Sequence, residues 1–197
     1  MRCLLSHLPD STSRLVHVLL LGSLAFVTLP TAARAGQDAA AKESAAAVKA
    51  AFMADIEAMR VKFVGLAETF PPDKYTWRPM DGVRSVSEVL MLIATEGYGF
   101  APTALGGKAA LSREEMSKLS GITTKAQVID HLNKSFAHAK QALEAIDSAT
   151  LVGKRTSMGR ERSTPEIVML VSGDMHEHLG QLIAYARMNH IVPPWSK

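Results

Sequence analysis

Apolar residues recur in steps of three and four through most of this chain, and those steps predict four long helices. The clearest run opens at Ser163 and continues to about His190, with Ile167, Leu170, Val171, Met175, Leu179, Leu182, Ile183 and Ala186 facing inward. That is the buried stripe of an amphipathic helix. Ser163 with Glu166 three residues on is a capping-box spacing, and Pro165 sits in a first turn that tolerates a missing N–H. An earlier helix is predicted from Ala45, with Phe52, Ile56, Met59, Phe63, Leu66 and Phe70 inward, and Pro71-Pro72 stops it. A second takes Ser85 or Ser87 as its cap and buries Val86, Val89, Leu90, Ile93 and Gly97. A third runs from the capping-box spacing Thr124…Gln127 to Ile146, through Val128, Ile129, Leu132, Phe136, Ala139 and Leu143. Ser112 with Glu115 opens a further short, polar helix that Gly121 stops.

Between these runs the pattern breaks down. Gly36 to about Ser44 is polar and alanine-rich, and reads as a frayed leader. Residues 71–84 hold three prolines and a glycine together with Tyr75 and Trp77, as in a loop packed down over the end of a core. Residues 147–162 are polar, and their alternating stretches near Leu151-Val152 and Thr156 are too brief to predict strands. The expected fold is therefore all-α, a four-helix bundle whose long connections permit crossovers.

Composition changes this picture at one end only. Arg2 and Arg14 precede an apolar run from Val18 to Val27, then Pro30 and the small-x-small triplet Ala33-Arg34-Ala35. Residues 1–35 thus read as a signal peptide, leaving 36–197 as one domain, periplasmic or secreted. The single cysteine, Cys3, falls before the cut, so the remainder has no thiol chemistry of its own. Residues 36–197 carry 19 Lys+Arg against 18 Asp+Glu, a balance that argues against a nucleic-acid partner. No later run reaches membrane-spanning length, so no membrane association is expected after cleavage.

The candidate chemistry lies in the last helix. Asp174 and His178 are four apart, so they project from one face beside the apolar stripe. A carboxylate and an imidazole placed there need a partner or a metal. His176 is out of phase with His178 and points elsewhere, as a rim group or a candidate general base. His131, His138 and His190 read as ordinary helix histidines, and Arg155, Arg160 and Arg162 as a solvated face.

Three segments together resemble the DinB superfamily. They are Tyr75-Thr76-Trp77-Arg78-Pro79 with Gly82-Val83-Arg84-Ser85-Val86; the helix Ser87-Glu88-Val89-Leu90-Met91-Leu92-Ile93-Ala94; and Asp174-Met175-His176-Glu177-His178-Leu179-Gly180-Gln181, continuing to Pro193-Pro194. The resemblance implies a divalent-metal site of three histidines at one end of a bundle, one from helix two and two from the last helix. Residue by residue, the final histidine is His178, the one four before it falls on Asp174, and the helix-two histidine falls on Leu92. Leu92 cannot ligate; Glu96, one turn on along the same face, is the candidate substitute. A mixed His, Asp and Glu set suits zinc, nickel, manganese or iron. Two functions follow: a metal-dependent hydrolase or S-transferase of a small-molecule substrate, or a non-catalytic binding or stress protein whose site has degenerated at Leu92. The resemblance also implies a homodimer.

Overall fold

The computed structural model describes residues 31–196. The apolar run of the expected signal peptide lies outside them. Four long helices pack side by side: α1 (Thr31–Thr69), α2 (Val86–Thr95), α5 (Lys125–Glu144) and α6 (Thr164–Met188). The helix of α2 continues through a π segment, Glu96–Phe100, into α3 (Ala101–Ala104), and a short α4 (Arg113–Lys118) follows. Each of α1 and α2 packs against both α5 and α6. Helices α1 and α2 are therefore diagonal to one another, and so are α5 and α6. The connections 71–84 and 147–162 cross those diagonals, and residues 105–124 return the chain along the bundle.

The predicted inner faces are largely the core. Phe52, Ile56, Met59, Phe63, Leu66 and Phe70 are all buried, and Phe63 stacks on Phe136 of α5 with ring centroids 6.3 Å apart. In α6 the stripe holds except at Leu170, which is 40% exposed, and at half-buried Ile183. Gly97 lets α2 approach α5 closely, since a Cβ there would stand 3.0 Å from Ser135.

Helix α1 shows how the two prolines are accommodated. Pro71 and Pro72 have no N–H, so the carbonyls of Ala67 and Glu68 lose their partners one turn on. The Tyr75 hydroxyl donates to the Ala67 carbonyl at 2.6 Å, and Lys125 Nζ donates to the Glu68 carbonyl at 2.6 Å. At the other end of this antiparallel pair, Lys49 donates to the Glu144 carbonyl that ends α5. Tyr75 is fully buried, so Tyr75→Phe leaves a buried carbonyl unpaired. It should destabilise the protein by about 1–3 kcal/mol in chemical denaturation, with an unchanged m-value.

Four expectations are corrected. Residues 36–44 are helical, because α1 starts at Thr31; alanine is the strongest helix former, and Ala45 is buried against the bundle. The 147–162 connection contains a hairpin, β1 (Lys154–Ser157) and β2 (Arg160–Ser163), with Ser157 paired to Arg160. Met158 and Gly159 both have positive φ, 49° and 72°, as a two-residue type I′ turn requires. Arg155, on β1, is not solvated: it donates to the Leu105 and Thr150 carbonyls and is half-buried. Thr124 does not cap its helix, because its hydroxyl turns to Gln127 Oε1. The capping boxes at Ser112 and Ser163 form as predicted, and Ser85 makes a third with Glu88. No helix of the described residues is long and apolar enough to cross a membrane.

Candidate metal centre

Helices α2 and α6 run antiparallel, with Arg84 beside Tyr185 at one end of their contact. About two turns further in along α6, Asp174 and His178 face Glu96. One ligand atom from each of the three residues lies within 4.8 Å of the other two. Sequence spacing brought Asp174 and His178 to one face, and the structure sets Glu96, the candidate substitute for Leu92, opposite them on the facing helix.

Glu96 stands where α2 changes from α to π winding, its carbonyl accepting from the Ala101 N–H five residues on. Such single π turns insert one residue into a helix and are frequent at functional sites. Glu96 is 7% exposed, and its Oε2 has no hydrogen-bond partner among the described residues. Burial first, then the nearby Asp174 carboxyl, push its pKa up to about 9; Arg84 partly opposes the rise. Two carboxylates have no proton to share, so they repel. With a proton on Glu96 that repulsion is relieved.

The ring of His178 is oriented by a chain of hydrogen bonds whose direction is forced. The Arg84 carbonyl only accepts, so the Tyr185 hydroxyl donates to it at 3.0 Å. That hydroxyl accepts from Gln181 Nε2 at 2.8 Å, which turns Gln181 Oε1 toward His178 Nδ1 at 3.1 Å. An amide oxygen only accepts. Nδ1 therefore carries the proton, and the Nε2 lone pair is left facing Asp174 Oδ1 at 3.9 Å. Trp77 packs edge-on to Tyr185 at 5.4 Å and fixes the far end of the chain.

The result is three converging electron-pair donors in one half-covered site. The side chains of His178 and Asp174 are 14% and 42% exposed, so the Asp174 side is open. The donor set and the unpartnered Glu96 oxygen fit a divalent cation, with an imidazole nitrogen and two carboxylates as ligands. Among the described residues no other group of three such donors converges. Leu92 is half-buried one turn before Glu96 and brings no donor.

His176 lies on a different face of α6, where its Nε2 is 2.9 Å from Asp55 Oδ1 of α1. His131 meets the Tyr98 hydroxyl and His138 the Lys108 carbonyl. The spacing alone did not assign Gln181 and Tyr185 a role. Their signal is there in retrospect: 178, 181 and 185 fall on one helix face, each side chain one turn from the next.

No curated protein and no solved structure matches the chain. The family model of the DinB superfamily matches residues 55–182, a span that takes in the C-terminal part of α1, all of α2 and α5, and α6 through the candidate centre. The helical bundle, the metal-type donor cluster and this match agree: the chain belongs to the DinB superfamily.

Proposed function

We propose that this protein binds one divalent cation through Glu96, Asp174 and His178 and acts as a metal-dependent hydrolase or transferase on a small molecule. The observation that carries the reading is the buried Glu96 carboxyl, whose Oε2 has no partner although it faces Asp174 and His178. An unpartnered buried carboxyl oxygen is costly unless something else occupies it. A divalent cation bound there supplies Lewis acidity, lowering the proton affinity of an oxygen or sulfur atom placed beside it. The protein's own part is to orient the ligands. The Gln181–Tyr185–Arg84 chain holds the His178 tautomer, and the Glu96–Asp174 pair stores the proton that cation binding releases.

Isothermal titration with zinc and with manganese tests this reading. One equivalent should bind, with proton uptake by the buffer. Gln181→Ala, which frees the imidazole to take the other tautomer, should weaken binding by about 10- to 100-fold. Stoichiometric binding that ignores Gln181, or no binding of any divalent ion, would defeat it. Leu92 favours a second reading, a binding bundle without turnover, because only His178 remains of the three histidines that the resemblance implies. The polar, leucine-rich and small-residue order of residues 1–35 supports export of the remainder, which N-terminal sequencing of extracytoplasmic material checks.

A further inference from the structure

A cavity of about 500 Å³ opens between the 78–84 loop, α2 and the α4 segment. That volume is within the range of small-molecule sites. Its apolar wall is Met91, Leu92 and Met116, and Arg78, Arg84 and Glu88 lie at its polar edge. The charges there do not balance. Glu88 Oε1 accepts from Arg78 Nη2 at 3.2 Å, and its Oε2 accepts from the Ser85 N–H, so that carboxylate is committed. Arg78 is committed as well, since its other nitrogen donates to the Val83 carbonyl. The Arg84 guanidinium is exposed and makes no hydrogen bond or ion pair among the described residues. Its backbone carbonyl holds Tyr185, so its position at the rim is fixed.

Leu92 and Thr95 line this cavity and are four and one residues before Glu96 on the same helix. The cavity thus adjoins the stretch of α2 that carries Glu96, although Glu96, Asp174 and His178 are not among its lining residues. We propose that the cavity binds a small molecule with one anionic group and a short apolar body, Arg84 pairing with the anion while the body lies on Met91, Leu92 and Met116. The substitution of leucine for the histidine that the resemblance places at position 92 then has a positive use: it makes an apolar wall. As the substrate site of a metal-dependent enzyme the cavity rests on the reading above; as a binding site it does not.

The test is a titration of the purified protein with hexanoate, hexyl phosphate and neutral hexanamide, run both with EDTA and with zinc present. Calorimetry gives the affinities, and methyl resonances of methionine give the location. One or both anions should bind about tenfold or more tightly than hexanamide, and Arg84→Gln should remove that preference while Arg84→Lys restores part of it. The Met91 and Met116 methyls should shift. Tighter hexanoate assigns a carboxylate head group and tighter hexyl phosphate a phosphate. Because Arg84 carries no structural hydrogen bond through its side chain, the glutamine variant should melt with the parent. Equal affinity for hexanamide, indifference to Arg84→Gln, shifts at other methionines, or no binding of any probe would each overturn the proposal. Anion binding that persists in EDTA separates it from the metal reading, and loss of metal binding alone leaves it standing.

Discussion

His178→Ala should abolish the stabilisation that divalent cations give this protein. A ligand that binds only the folded state stabilises by about 2.7 kcal/mol at a free concentration 100 times its dissociation constant. For a domain of this size that is a melting-temperature rise of roughly 5–10 °C. The wild-type protein should show such a rise with at least one of zinc, nickel, manganese and iron, and elemental mass spectrometry should find about one equivalent. The alanine variant should show neither. It removes the only nitrogen donor of the cluster, and the two carboxyls that remain are coupled through one proton. His176→Ala is the control. Its imidazole is 49% exposed and engages Asp55, so the cation-dependent rise should survive. A rise that persists in the His178 variant, or vanishes equally in both, would place the cation elsewhere.

Glu96→Gln should have two opposed effects. In the folded, cation-free protein the Glu96 carboxyl keeps its proton up to about pH 9, through burial and through Asp174 beside it, against the pull of Arg84. In the unfolded chain it loses that proton near its ordinary value of 4.5. Between those limits the folded state binds more protons, so stability falls as pH rises and levels off above 9. The fall is as much as about 1.4 kcal/mol per pH unit, and so about 4 kcal/mol between pH 5 and pH 8 as an upper figure. The amide cannot ionise, so the variant should lose this slope and exceed the wild type in stability at pH 8. Urea denaturation of both proteins in EDTA at pH 5, 6.5 and 8 reads the difference directly, because other titrating groups cancel between them. Cation binding should move the other way. The cation competes with the Glu96 proton, so wild-type affinity rises with pH below 9, whereas the glutamine variant binds weakly throughout. Parallel pH profiles for the two proteins would mean that Glu96 does not hold the proton.

The contrast between these residues shows what was legible in the chain. Asp174 and His178 come from one helix, where a spacing of four fixes a shared face whatever the rest of the protein does. The buried faces of α1, α2 and α5 were legible for the same reason, and so were the stops at Pro71-Pro72 and the Ser163 cap. Propensity was misread over 36–44, where alanines continue α1. The 154–163 hairpin was missed because it depends on Met158 adopting a positive φ, which its side chain does not favour and only the turn imposes.

The local periodicities of the chain carry four amphipathic helices, most of their caps, and an imidazole one turn from a carboxylate. Local geometry is decided within a few residues, so a one-dimensional pattern carries it. The packing of the helices decided that Glu96 meets those two side chains, that its proton affinity rises there, and that Gln181 and Tyr185 set the His178 tautomer. It also decided that the Arg84 side chain, without a partner among the described residues, stands beside an apolar wall. Each of these depends on the antiparallel approach of α2 and α6 across a long stretch of intervening chain. Burial and the close approach of facing side chains then turn ordinary polar groups into a site.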